Sequence, residues 1–212
     1  MATESVPTAP SNPPKRSIAP LIWILIVSLA PVVAAFLVYY IPEWRPSGSV
    51  NYGTLVEPQR PMPTAEQLPL TTLDGKPYDF NQLRGQWLLV AADGATCPEE
   101  CAKKLYILRN THAMTGKNVE RLNRVWFITD DAQVPEKVLE AYRGTIMLRV
   151  NPDDLAKFLT TPAGMASSEA ALAQPLWIMD PLGNLILEYP KDPDPLKVRK
   201  DIGKLLHNSR IG

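Results

Sequence analysis

Cys97 and Cys101 are the chain's two cysteines. They stand in the stretch Asp93-Gly94-Ala95-Thr96-Cys97-Pro98-Glu99-Glu100-Cys101, after a short apolar run and ahead of residues with helical spacing. Four positions are one helical turn, so the two sulfurs share a face. A thiol at a helix start lies beside free N–H groups and the positive end of the helix dipole, which stabilise a thiolate. With Cys97 in the turn and Cys101 on the helix, the Cα atoms fall within disulfide range. Such a pair can cycle between dithiol and disulfide, clamp one soft metal ion, or form an inert structural bridge. Glu99 and Glu100 suit a helix N-terminus, but beside the thiols they disfavour thiolate formation. A strongly oxidising cysteine is therefore not expected.

The remaining composition narrows the chemistry. Two cysteines four positions apart are not the framework of a small disulfide-stapled domain. The two histidines, His112 and His207, exclude a histidine-rich metal centre. Lys+Arg and Asp+Glu are 22 each, giving a net charge of zero and none of the basic excess of a nucleic-acid binder. At 212 residues the chain holds one ordinary domain with appendages.

The elements that must position the cysteines are legible as alternating patterns. Leu70–Leu73 and Tyr78–Phe80 flank Asp74-Gly75, a hairpin signal. Trp87–Ala92 is a continuous apolar run suited to a buried parallel strand, and Val125–Thr129 is a second. Between them, residues from Pro98 to about Met114 carry Ala102, Leu105, Ile107 and Leu108 at helical spacing, with Pro98 at the first helical position. Pro135–Tyr142 reads as a helix, Thr145–Val150 as a short strand, and Asn151-Pro152 opens a further helix. Residues 160–174 are small, polar and irregular. A hairpin around Asp180-Pro181-Leu182-Gly183-Asn184 and an amphipathic helix from Pro195 to His207 complete the pattern. This order predicts an α/β thioredoxin-like domain over 68–208 with a parallel sheet centre and an antiparallel edge.

Ahead of the domain, residues 1–16 are polar and Pro-rich with Lys15 and Arg16 at their end, and read as a disordered tail. Residues 17–41 are free of charge after Ser17, long enough to cross a bilayer, with Trp23 towards one end and Tyr39 and Tyr40 at the other. Pro31 should kink this helix, which a membrane tolerates. The apolar run continues past Val33-Ala34-Ala35, a cleavage-like triplet, so an uncleaved single-pass anchor is the reading over a signal peptide. The positive-inside rule places Lys15 and Arg16 in the cytoplasm and the domain across the inner membrane, in the periplasm of a Gram-negative cell. Residues 42–67 hold five prolines and read as an extended tether.

Several segments together resemble the Sco/SenC family: Asn51-Tyr52-Gly53-Thr54-Leu55, Leu83-Arg84-Gly85-Gln86-Trp87, the C-P-x-x-C motif, and Ile178-Met179-Asp180-Pro181-Leu182-Gly183. The resemblance covers about residues 50–206. It implies a membrane-anchored, thioredoxin-fold assembly factor that delivers Cu(I) to cytochrome c oxidase or reduces its copper-site cysteines. The implied partners are an oxidase subunit or another periplasmic thiol or copper protein. It assigns Cys97 and Cys101 as copper thiolates and redox-active thiols. The family's third copper ligand is a histidine shortly before the strand at Leu176, where this chain has Glu169-Ala170-Ala171-Leu172-Ala173-Gln174. Met165, in the loop expected to face the cysteines, carries a thioether that suits Cu(I). Ala102 stands where the family usually has proline. Pro175 lies near where thioredoxin folds place a cis-proline. Without copper, the same pair would serve a thiol–disulfide oxidoreductase. A degenerate site would leave a non-catalytic scaffold.

Overall fold

The computed structural model describes residues 17–41, 44, 51–160, 167–173 and 175–211. The chain divides into two units, Met1–Ser49 and Val50–Gly212. In the first, helix α1 spans Ala19–Tyr40, with Pro20 in its first turn, where a missing N–H costs nothing, and Pro31 within it. No side chain of α1 is buried. The Ser28 hydroxyl donates to the Ile24 carbonyl, as a polar group in an apolar helix must. At 22 residues, α1 is long and apolar enough to cross a membrane and is a candidate anchor.

In the second unit, eight strands among the described residues form one sheet: β1 (Thr54–Pro61), β2 (Leu70–Thr72), β3 (Pro77–Tyr78), β4 (Trp87–Asp93), β5 (Leu122–Ile128), β6 (Ile146–Val150), β7 (Leu176–Met179) and β8 (Asn184–Tyr189), in the order β1-β8-β7-β4-β5-β6-β2-β3. β4, β5 and β6 are parallel; the other pairings are antiparallel. β4 is central, and its apolar run is buried on both faces. Trp87, Leu89 and Ala91 face one cluster, with helices α2 (Glu99–Ala113) and α6 (Pro195–Asn208). Leu88, Val90 and Ala92 face the other, with α4 (Pro152–Leu159). Helices α3 (Glu136–Ala141) and α5 (Ser168–Leu172) complete the unit. This is the expected thioredoxin-like α/β arrangement.

The local signals explain the element ends. Gly75, at φ +76°, closes the β2–β3 hairpin. Asn151 caps α4 by accepting from Asp153 and Asp154 N–H, and Asp194 caps α6 by accepting from Leu196 and Lys197.

Three expectations change. Residues 54–61, inside the stretch read as a tether, form strand β1 on β8, so the sheet starts before residue 68. Prolines 58 and 61 masked it; an edge strand tolerates them because one of its sides needs no ladder bonds. Tyr52 and Gly53, just ahead of it, donate their N–H groups to the buried Asp201 carboxylate at 2.6 and 3.0 Å. Second, Pro98 is the cap preceding α2, and Glu99 is its first helical residue. Third, the irregular stretch 160–174 contains α5, capped by the Ser167 hydroxyl. Met165 lies outside the described residues, as does Gln174, which makes the peptide bond to Pro175.

Candidate functional site

Cys97 and Cys101 meet in a disulfide at the junction of β4 and α2, with Cα atoms 5.0 Å apart. The geometry depends on Cys97 standing outside the helix. Its backbone is left-handed, φ +45°, a conformation that costs a non-glycine residue roughly 1–2 kcal/mol. Cys97 is 9% exposed and Cys101 is fully buried against the α2 face of the sheet. Cys97 is therefore the more exposed of the two residues.

The turn that carries Cys97 is held from two sides. From the segment after β5, Asp130 accepts the Ala95 N–H on both carboxylate oxygens, at 3.1 and 3.2 Å, and the Ala132 N–H at 3.1 Å. Arg149 of β6 in turn donates to the Asp130 carbonyl at 2.6 Å. Within the turn, Cys97 N–H donates to the Gly94 carbonyl at 3.2 Å. From α2, Lys104 reaches back to the end of β4. Its ammonium contacts the Asp93 carboxylate at 2.8 Å and donates to the carbonyls of Ala92 and Ala173, each at 2.7 Å. The other Asp93 oxygen accepts the Gly94 N–H at 2.9 Å. Burial pushes the Lys104 ammonium below the usual lysine range, and the Asp93 charge opposes this.

Glu99 and Glu100 form ion pairs with Lys103 on the exposed side of the first turn. These acids, weighed above against the thiols, thus have a cationic partner in water, and such exposed pairs contribute little stability. A cavity of about 160 Å³, lined by Glu100, Lys104, Ile107, Ala173, Lys191 and Pro193, opens beside the same helix.

The histidines do not join the cysteines. His112 sits in the last turn of α2, where burial and then the Arg124 charge hold its imidazole below the ordinary range. His207 is exposed on the last turn of α6. Within the stretch 169–174, where the Sco/SenC resemblance implies a histidine, Leu172 is buried among the cluster on the opposite sheet face from the cysteines. Among the described residues, no group of three or more His, Cys, Asp or Glu side chains could hold a metal ion. The cysteines suit Cu(I) only once reduced, since a thiolate and not a disulfide sulfur is the ligand.

Lys104 and Asp130 were not singled out in the sequence. Lys104 had a signal: Cys101, Lys104, Leu105 and Leu108 lie at i, i+3, i+4 and i+7, which puts the lysine on the apolar stripe. Asp130 had only its place just after a buried strand.

The family model described as "Transmembrane-like, thioredoxin-like, C-terminal domain" matches residues 87–209. The chain belongs to this family. The matched segment includes the β4–α2 junction that carries both cysteines. No curated protein sequence matches the chain. Among solved structures, copper-bound ScoI from Arabidopsis thaliana is similar over 74% of this chain and 99% of its own, at 19% identity and TM-score 0.53. Apo Sco1 from Thermus thermophilus matches 76% of this chain and 98% of its own, at 17% identity and TM-score 0.53. A thiol:disulfide interchange protein from Bacteroides sp. matches 72% and 91%, at 16% identity and TM-score 0.51. At these identities the likeness concerns the fold, and at that level the Sco/SenC resemblance of this thioredoxin-like family member is borne out.

Proposed function

We propose that this protein is a membrane-anchored, Sco-like assembly factor that serves the copper centre of cytochrome c oxidase by thiol–disulfide chemistry at Cys97 and Cys101. One observation carries the reading: the two cysteines close a disulfide at the strand-to-helix junction, and among the described residues no third His, Cys, Asp or Glu completes a metal-holding group with them. A pair built to pass electrons needs only two sulfurs and access to one of them. A three-coordinate copper site needs a further donor.

In this reading α1 anchors the chain in the inner membrane with Lys15 and Arg16 in the cytoplasm. The domain then faces the periplasm, where a partner's cysteines meet Cys97. Copper handling is the second reading, favoured by the copper-bound Arabidopsis and yeast Sco structures of similar fold. Here Cu(I) is cargo on the two reduced thiolates, with Met165 as a further donor.

Two measurements on the full chain in detergent separate these readings. The first is anaerobic Cu(I) titration of the reduced chain, with Cys97→Ser as control. The second is exchange of the reduced chain with a peptide carrying a disulfide of the oxidase copper-site type. Thiol chemistry predicts reduction of the peptide disulfide and oxidation of Cys97 and Cys101, whatever the Cu(I) affinity. Tight one-to-one Cu(I) binding without exchange replaces it with copper delivery.

A further inference from the structure

We propose that the buried Asp93–Lys104 ion pair tunes the opening of the Cys97–Cys101 disulfide, Lys104 favouring the reduced form and Asp93 opposing it. The inference rests on reading the pair as redox-active and concerns how that same site is set.

Lys104 is 4% exposed, and its three ammonium protons have three acceptors: the Asp93 carboxylate and the Ala92 and Ala173 carbonyls. Those acceptors belong to the end of β4, four residues before Cys97, and to the residue that follows α5. The lysine itself lies three positions beyond Cys101 on α2, a spacing that places side chains about 5–6 Å apart at Cβ. One cation therefore joins the strand, the helix and the α5 end around the disulfide. For stability alone this is an expensive arrangement, since a buried ion pair contributes little over apolar residues of the same size.

The chemistry gives the charge a use. When a dithiol partner reduces the pair, a partner thiolate attacks the sulfur of Cys97, the more exposed residue. A new S–S bond forms there, the Cys97–Cys101 bond breaks, and its electron pair leaves on Cys101 as a thiolate. The partner's second thiol then displaces Cys97, closing the partner disulfide. Two protons pass from the partner's thiols to Cys97 and Cys101. Two electrons have moved, oxidising the partner and reducing this chain. Negative charge thus develops on Cys101, buried and one turn from Lys104. An ammonium there stabilises the leaving sulfur, and a carboxylate opposes it. The other charges nearby, Glu99, Glu100 and Lys103 in the first turn of α2 and Lys191 and Asp192 across the cavity, face water or line its mouth.

The test measures the rate and equilibrium of reduction by dithiothreitol in the full chain, in detergent at neutral pH, for wild type, Lys104→Met and Asp93→Asn. Both substitutions break the same contact, so a purely structural pair predicts shifts of the same sign. The electrostatic account predicts opposite signs: Lys104→Met is reduced about tenfold more slowly and Asp93→Asn about tenfold faster, with Lys104→Arg near wild type. Should Lys104→Met fail to fold, the near-isosteric Asp93→Asn decides: acceleration supports the inference. Shifts of the same sign, or of less than twofold, overturn it. A wild-type disulfide that no dithiol opens overturns the redox reading beneath it, which variants that react alike do not.

Discussion

The Asp130 carboxylate lies 2.6 Å from the point where a β-carbon would stand on Gly94. The residue before the Ala95 donor must therefore be glycine for Asp130 to hold the cysteine turn. Gly94→Ala forces the carboxylate aside and loses the bonds to Ala95, at an expected cost of about 1–3 kcal/mol. The cause is local, so the same substitution in an Asp130→Ala background costs less than half as much. Thermal or denaturant melts of the four chains in the cycle measure this coupling.

His112 gives a pH signature remote from the disulfide. Its imidazole is held below its ordinary value of 6.5, first by burial and then by the Arg124 charge, with a hydrogen bond to the Val119 backbone opposing both. The fold therefore favours the neutral ring. Below 6.5 the unfolded chain takes up a proton that the folded chain resists. The contribution is intact above that value and is lost as pH falls from it towards the lower folded value. Wild type is expected to lose more stability than His112→Asn between about pH 7 and pH 5, read from denaturant midpoints across that range.

Much of this architecture is legible from residue order alone, and the reasons are local. The apolar run at Trp87–Ala92 suits a strand covered on both faces, and that at Val125–Thr129 suits its parallel neighbour; the strands run Trp87–Asp93 and Leu122–Ile128, the second starting three residues earlier than its apolar run. Turn residues fix the hairpins. The cysteine spacing, with one residue in the turn and one on the helix, anticipates the disulfide. What stays hidden depends on contacts between segments distant in sequence. β1 becomes a strand only because β8 offers an edge to it. The place of Lys104 on the apolar stripe of its helix hints at burial, but its partners appear only when Asp93 and the α5 end are brought to it. Asp130 acquires its role from a turn 35 residues earlier.

The missing copper histidine can be probed at Leu172, within the stretch 169–174 where the Sco/SenC resemblance implies it. Leu172 is fully buried and belongs to the apolar cluster on the α4 side of the sheet, whereas the cysteines belong to the α2 side. An imidazole at that position loses apolar packing and buries a polar ring. Leu172→His is expected to lower stability by about 2–4 kcal/mol, measured by melting, without tightening Cu(I) binding. A gain in Cu(I) affinity would show that α5 can turn its residues towards the cysteines.

The central claim is that Cys97 and Cys101 form a working redox pair and not a permanent staple. Treatment of the folded full chain with a dithiol, followed by alkylation and mass spectrometry, tests it most directly. The account predicts two alkylated cysteines, recovery of the disulfide on reoxidation, and, in a Cys101→Ser chain given a peptide disulfide in place of the dithiol, a mixed disulfide on Cys97 with release of the peptide's other sulfur as a thiol. A bond that stays closed at every dithiol concentration that leaves the domain folded would contradict it.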